Sequence, residues 1–99
     1  MNKEILKKAI DTYGTHNQML KCIEECSELS RAISRILVEL SSGDGFTTEE
    51  SQKNLYEELA DVWIMLEQMM MMFKCEDEVF IQQVKKIKRL KERLKNELS

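Results

Sequence analysis

The sequence contains no proline, only three glycines and only 6% aromatic residues. Without proline, nothing in the chain forces a long helix to kink or stop. The glycines, Gly14, Gly43 and Gly45, mark two places at which we expect the chain to turn. No useful stretch alternates between polar and apolar residues, which is the pattern of a half-buried strand. The sequence therefore predicts an all-α fold built from long helices.

No charge sign dominates the sequence, and no apolar run is long. Fifteen basic residues stand against 18 acidic ones, giving a net charge of −3, which argues against general affinity for nucleic acid. The apolar run at residues 69–73 is far shorter than the roughly 20 residues that cross a bilayer. The first residues lack the apolar segment of a signal peptide. We expect a cytoplasmic protein with no membrane and no nucleic-acid partner.

Cysteine and histidine are also scarce. The three cysteines, Cys22, Cys26 and Cys75, are an odd number, which is typical of reduced thiols in the cytosol. Cys22 and Cys26 lie one helical turn apart, but the single histidine, His16, leaves a zinc site without ligands at the usual spacings. We therefore interpret the cysteines as small apolar residues of the core.

The length predicts one domain, residues 1–99, with a core small enough that association with further copies would enlarge it. Capping signals divide this domain into helices. The first helix covers residues 3–13 and ends at Gly14. The second begins at Thr15, where Gln18 three residues later matches a capping box, and it runs to about residue 40.

The segment SSGDGFTT at 41–48 is the one clear loop, because it is polar and carries two glycines. Thr47 and Glu50 form a second capping-box match, so the third helix begins there and ends near residue 75. Its well-buried part begins near Asn54, because the preceding residues are polar. Asp77 and Glu78 suit the first turn of a fourth helix, where acidic side chains complement the helix dipole.

Apolar stripes indicate how the helices pack. The stripe of the second helix is Met19, Ile23, Cys26, Ser30, Ile33, Leu37 and Leu40, widened by Cys22, Leu29 and Ile36. That of the third helix is Leu55, Leu59, Val62, Leu66, Met69 and Phe73. We expect these two stripes to pack antiparallel. The third helix carries apolar residues on its other faces as well, so it is buried on more than one side. The sequence thus predicts an antiparallel bundle of about four helices, completed by homo-oligomerisation.

Two pairs of carboxylates interrupt this apolar pattern. Glu58 and Asp61 lie in the middle of the most apolar helix, and Glu25 and Glu28 lie beside the stripe of the second helix. Ionised carboxylates are rarely buried without a partner. Four oxygen ligands without histidine suit a hard cation such as Mg²⁺ or Mn²⁺. The alternative is that the pairs are ordinary solvated helix surface, which is common for Glu-x-x-Glu.

The segment EECSE at 24–28, followed by EELAD at 57–61, resembles the E-E-x-x-E…E-x-x-D signature of the all-α nucleoside triphosphate pyrophosphohydrolases, the MazG-like family. The resemblance covers most of the chain. It implies an enzyme that cleaves a nucleoside triphosphate between its α- and β-phosphates, with Mg²⁺ as cofactor. It also implies a homodimer or a dimer of dimers. By this resemblance the metal ligands are Glu25, Glu28, Glu58 and Asp61.

The remaining site residues follow from this chemistry. We expect Glu24 or Glu25 to accept the proton of the attacking water. The pyrophosphate that leaves needs cations, for which Lys86, Arg89 and Arg93 on the fourth helix are candidates, although they also fit a solvated basic face. Gln18, Lys21 and Asn54 lie in the same strips as the carboxylates and are further candidates for substrate binding.

Three other functions remain open at this stage. A non-catalytic helical interaction or regulatory module would use the methionine-rich stretch as a partner surface, but it leaves Glu58 and Asp61 unexplained. A di-iron carboxylate bundle requires Glu-x-x-His pairs, and His16 is not placed to form one. Nucleic-acid binding through the basic fourth helix would be steeply salt-dependent. The nucleobase of the substrate does not follow from these residues.

Overall fold

The computed structural model describes residues 2–43 and 45–98. Their helices are α1 (Lys3–Tyr13), α2 (Thr15–Ser41), α3 (Glu49–Phe73) and α4 (Glu76–Leu98), and this part of the chain contains no strand. The predicted all-α helical bundle is therefore confirmed, with helix ends close to the predicted ones. No helix within the described ranges is both long and apolar enough to cross a membrane.

Two helix caps differ from the predicted capping boxes. Gly14, in the left-handed region with φ of 91°, joins α1 to α2, and no side chain caps α2. Gln18 instead turns into the interior and is buried. At the start of α3 the cap is Thr48 rather than Thr47, because its side chain accepts the hydrogen bond from the backbone N–H of Ser51. Both capping-box predictions were therefore wrong.

A polar network fastens the loop end of the α2–α3 pair. Ser51 is fully buried, contrary to the prediction that burial begins near Asn54. Its hydroxyl donates to Glu39 Oε2 at 2.6 Å, and the backbone N–H of Thr48 donates to Glu39 Oε1 at 3.1 Å. These bonds lower the pKa of Glu39, with the hydrogen bond from Ser51 as the largest cause. The network holds α2 and α3 antiparallel across the short loop.

The faces of α2 and α3 that meet match the predicted stripes only in part. The main line of the predicted α2 stripe, from Met19 to Leu40, is exposed in the single chain, whereas the residues predicted to widen it are half-buried: Cys22, Leu29 and Ile36. The residues of α2 that are buried or half-buried are Gln18, Cys22, Glu25, Glu28, Leu29, Ala32, Ile36 and Glu39. On α3 the stripe is divided, since Val62 is buried whereas Leu59 and Leu66 are exposed. The two strips that carry the carboxylates therefore face each other and form the packed seam itself.

The reason is that periodicity identifies the apolar faces of a helix but does not select among them. On α2 the small side chain of Ala32, only 2% exposed, lies at the seam, whereas the bulky neighbour Ile33 is exposed. The three cysteines are unpaired; Cys22 and Cys75 are half-buried, but Cys26 is exposed and not a core residue.

Helix α4 stands away from the rest of the chain. It packs only against α3, and every described residue from Phe80 to Leu98 is exposed. Its N-terminal turn is held by an exposed ion pair between Lys3 and Glu76 at 3.2 Å. The radius of gyration is 17.4 Å, compared with about 13 Å for a compact chain of 100 residues.

Candidate metal centre and adjoining cleft

Three carboxylates converge in the middle of the α2–α3 seam. Glu25 comes from α2, and Glu58 and Asp61 come from α3. One oxygen atom of each lies within 4.8 Å of an oxygen of the other two. Glu25 and Glu58 are half-buried and Asp61 is exposed, so the cluster is open to solvent on one side.

The environment of this cluster disfavours negative charge. Burial is the largest cause that raises the pKa of Glu25, and the charges of Asp61 and Glu58 raise it further, whereas Lys21 opposes them. Burial also raises the pKa of Glu58, followed by the charges of Asp61 and Glu28. The Oε2 atom of Glu58 is buried and has no hydrogen-bond partner. Glu25 and Glu58 are thus only partly compensated by the nearby cations Lys21 and Arg31, and a bound cation would favour their charged forms.

The donor set fits a hard divalent cation. All three side chains offer carboxylate oxygens, and neither a histidine nor a cysteine belongs to the cluster. Such oxygen ligands suit Mg²⁺ or Mn²⁺ rather than zinc or copper. A cation bound here would give the unpartnered oxygen of Glu58 a ligand and would neutralise the repulsion among the three charges. The residues present therefore fit the metal that the sequence predicts.

The other two predicted acidic residues lie at the edge of the cluster. Glu28 bonds to Arg31 one turn along α2, so its carboxylate is not among the three that converge. Its charge nevertheless acts on Glu58. Glu24 is exposed and lines a cleft next to the cluster. Both are close enough to contribute, but neither takes part in the three-oxygen group.

A cleft of about 490 Å³ opens at the end of the seam that is far from the α2–α3 loop. This volume lies within the range of roughly 300–1,000 Å³ that is usual for small-molecule sites. Residues of α1, α2 and α3 line it: Ala9, Tyr13, Asn17, Gln18, Leu20, Lys21, Glu24, Ile64, Met65 and Gln68. Gln18 and Lys21, predicted as substrate contacts, are both in its wall.

The other predicted substrate contacts lie elsewhere. Asn54 is half-buried and lines a shallow pocket of about 250 Å³ toward the loop, together with Arg35 and Lys53. The basic residues Lys86, Arg89 and Arg93 lie on the exposed part of α4, which packs against neither α1 nor α2. The cations whose charges act on Glu25 and Glu58 are instead Lys21 and Arg31.

The structure also draws attention to residues that the sequence analysis missed. Gln68 lines the cleft but is only 3% exposed, and its Oε1 atom is buried without a hydrogen-bond partner. Tyr13 lies in the same wall and is largely exposed. In the sequence, Gln68 could have been noticed as a polar amide next to the methionine-rich end of the most apolar helix. Tyr13 gave no comparable signal, because it ends a short amphipathic helix.

Comparison with protein families gives one result over nearly the whole chain. The family profile of the MazG nucleotide pyrophosphohydrolase domain matches residues 14–97. Curated proteins and solved structures provide no match. The matched range contains α2, α3, the carboxylate cluster and nearly all of α4. The chain therefore belongs to the MazG nucleotide pyrophosphohydrolase family.

Proposed function

We propose that this protein is a Mg²⁺-dependent nucleoside triphosphate pyrophosphohydrolase, which releases a nucleoside monophosphate and pyrophosphate. The observation that supports this most strongly is the group formed by Glu25, Glu58 and Asp61, with a buried unpartnered oxygen on Glu58. A structural role alone leaves that oxygen without an explanation, because buried polar atoms normally have a partner.

The metal would be held by Glu25, Glu58 and Asp61, and Glu28 would complete the set after leaving Arg31. When bound, Mg²⁺ polarises a phosphate oxygen and can activate a water molecule. It also reverses the local charge, without which an acidic cluster would repel a triphosphate. Arg31, released from Glu28, would then be a cation near the phosphates.

Glu24 and Glu25 are the candidates for the base that takes the proton from the attacking water. Glu25 belongs to the convergent group, whereas Glu24 lies outside it and faces the cleft. A carboxylate that is not committed to the metal keeps the lone pairs needed to accept a proton. Glu24 is therefore the better candidate for the base that accepts the proton, while Glu25 would hold the metal.

We further propose that a second copy of the chain covers the exposed apolar surfaces. On α3, Leu59, Trp63 and Ile64 line an open apolar pocket, and Trp63 is 64% exposed. The apolar face of α4 is equally uncovered: Phe80, Ile81, Val84, Ile87, Leu90 and Leu94. An exposed apolar patch on each of two helices is a feature of surfaces that bind another protein. The large radius of gyration has the same explanation, because the core is completed between copies.

Cations from α4 reach the phosphates in this proposal only through such an assembly. In one chain α4 packs against α3 alone, and its described residues from Phe80 onward are exposed. Lys86, Arg89 and Arg93 would therefore contact the substrate bound at the carboxylate cluster of the other subunit.

The direct test is an analysis of products in the presence of Mg²⁺. A panel of nucleoside triphosphates is incubated with the protein, and monophosphate, diphosphate, pyrophosphate and orthophosphate are separated by chromatography. Monophosphate and pyrophosphate in equal amounts are expected, with none formed by Asp61→Asn. Diphosphate and orthophosphate as the only products, or no product across the panel, would refute the proposal.

A second candidate function is a non-catalytic interaction module, which the uncovered faces of α3 and α4 also favour. It predicts that binding of a partner protein is unaffected by Asp61→Asn. The product analysis decides between the two, because an interaction module releases no pyrophosphate.

A further inference from the structure

Gln68 occupies an unusual position for an uncharged polar residue. It lies on α3 two turns beyond Asp61, at the end of the seam where the cleft opens. Its side chain is 3% exposed, and its carboxamide oxygen is buried with no hydrogen-bond partner. An unpaired buried acceptor is destabilising, typically by the desolvation cost of the group. A ligand that donates a hydrogen bond to this oxygen would remove the penalty.

The antiparallel seam brings a second amide to the same end. Gln18 lies seven residues before Glu25 on α2, and Gln68 lies seven residues after Asp61 on α3. Both glutamines are buried and both line the cleft. Seven residues of helix span about 10.5 Å, which is comparable with the reach of a nucleoside from its α-phosphate to the far edge of its base. A triphosphate held at the carboxylates would thus extend its base toward Gln68.

The cleft has the other features of a base site. Tyr13 presents an aromatic ring on which a base can stack. Ile64 and Met65 supply apolar wall. Asn17 donates to the backbone carbonyl of Tyr13 at 2.9 Å, which steadies the α1–α2 junction. A flat, partly polar ring is therefore the ligand that this cleft would accommodate.

We infer that Gln68 determines base specificity, and that its buried carbonyl oxygen selects bases with an exocyclic amino group at the edge far from the sugar. This inference rests on the proposed function, because that function brings the triphosphate to the carboxylates. Adenine and cytosine carry an amino group at that edge, which donates to the oxygen. Hypoxanthine and uracil carry a carbonyl oxygen in the same place, so two acceptors would face each other without a proton between them.

Matched pairs of substrates test this directly: dATP against dITP, and dCTP against dUTP. Each pair differs at the exocyclic group that Gln68 would read and at the adjacent ring nitrogen, which is an acceptor in the amino member and an N–H donor in the other. The wild type should prefer the amino member by about 5- to 150-fold in kcat/KM, which is the range for one good base contact. Gln68→Met keeps the length of the side chain but removes the acceptor. It should bring the ratio close to one, mainly through a higher KM for the amino member.

Two controls accompany this variant. Gln52→Met makes the same exchange at an exposed position near the start of α3, at the loop end of the seam and outside the cleft, and should keep the substrate preference of the wild type. The melting temperature of Gln68→Met should equal or exceed that of the wild type, because the variant loses an unpaired buried oxygen. A folded Gln68→Met variant that keeps the wild-type preference would overturn the inference. A wild-type preference for dITP and dUTP would also overturn it, because that preference would mean that the amide N–H, and not the carbonyl oxygen, faces the base.

Binding of the monophosphates separates this inference from the proposed function. Calorimetry with dAMP, dIMP, dCMP and dUMP requires no hydrolysis. If no pyrophosphate is released but the amino monophosphates bind more tightly and this depends on Gln68, the inference stands and the proposed function fails. If pyrophosphate is released from all substrates at equal rates, the proposed function stands and the inference is wrong.

Discussion

At the scale of single residues, two unpartnered oxygen atoms distinguish this chain from an ordinary helical bundle. Glu58 Oε2 and Gln68 Oε1 are both buried, and both belong to α3. The sequence indicated the first, because a carboxylate in an apolar helix requires an explanation. It did not indicate the oxygen of Gln68, because an amide is less costly to bury than a charge. Gln68 becomes a candidate site residue only when the structure shows that it lines the cleft.

The raised pKa values of Glu25 and Glu58 predict how metal-free stability depends on pH. A carboxyl whose pKa is higher in the folded state binds more protons there, so its contribution to stability is full below the unfolded pKa and is lost as pH rises through the folded pKa. The free energy of unfolding in EDTA should therefore increase from pH 7 to mildly acidic pH. Urea denaturation at several pH values measures this.

The control for that titration is Glu25→Gln combined with Glu58→Gln, which should flatten the slope. Glu39 acts in the opposite sense, since its lowered pKa contributes stability that is lost only as pH falls below the ordinary glutamate range. The loss of stability due to Glu39 therefore occurs at lower pH and does not hide the gain due to Glu25 and Glu58. A stability that falls steadily from pH 7 downward would contradict the account of the cluster.

At the scale of helices, the ends could be predicted from sequence better than the packing faces. Helix ends depend on local chemistry, such as Gly14 between α1 and α2 and the acidic first turn of α4. Which face of a helix is buried depends on the shape and the side chains of the helices that pack against it. The exposed stripe from Met19 to Leu40 and the buried strip through Ala32 both have helical periodicity, so periodicity alone could not choose between them.

The network around Ser51 gives a prediction for the α2–α3 pair. Ser51→Ala removes the donor to Glu39 Oε2 and leaves a carboxylate short of a partner, so it should lower the free energy of unfolding by about 1–3 kcal/mol. Ser41→Ala is the matched control, because its hydroxyl only bonds an exposed carbonyl of its own helix. That change should stay within about 0.5 kcal/mol. Equal effects of the two variants in urea denaturation would refute the role of the network.

The basic surface of α4 gives a second prediction at this scale. Arg89→Ala should raise KM for the triphosphate while leaving Mg²⁺ affinity nearly unchanged, because Arg89 would contact phosphate and not the metal. Lys88→Ala, on a different face of the helix, serves as the control. If Lys86→Ala, Arg89→Ala and Arg93→Ala all have wild-type kinetics, this surface is solvated and has no part in binding.

At the scale of the whole molecule, the single chain leaves much of its apolar surface uncovered. The expectation of homo-oligomerisation rested on the small core, the apolar faces of α3 and the family resemblance. The structure adds α4, whose apolar face is exposed from Phe80 onward. The bundle of one chain is therefore built mainly from α1, α2 and α3. The sequence could not indicate this, because an apolar stripe looks the same whether its partner belongs to the same chain or to another.

Light scattering after size-exclusion chromatography tests the assembly. The wild type should be a dimer or a dimer of dimers at micromolar concentration, since symmetric assemblies are the usual way to cover such surface. Ile87→Glu places a charge on the apolar face of α4 and should shift the protein toward monomer, whereas Gln82→Glu should not. A wild-type monomer under these conditions would contradict the proposed assembly and would remove the α4 cations from the site.

Melting curves show whether the carboxylate cluster binds a divalent cation. Wild type and Asp61→Asn are each melted with and without Mg²⁺, and Glu67→Gln on the same helix serves as the control. Asp61 raises the pKa of both Glu25 and Glu58, so its neutralisation relieves repulsion in the metal-free state. Metal-free Asp61→Asn should thus be at least as stable as the wild type.

Mg²⁺ should stabilise the wild type and Glu67→Gln by about 2.7 kcal/mol at one hundred times its dissociation constant, and Asp61→Asn far less. Mn²⁺ should act in the same way. The contrary result is a strongly destabilised metal-free Asp61→Asn together with no shift by either metal in any of the three proteins. Asp61 would then be a structural group, and the cluster would not be a metal site.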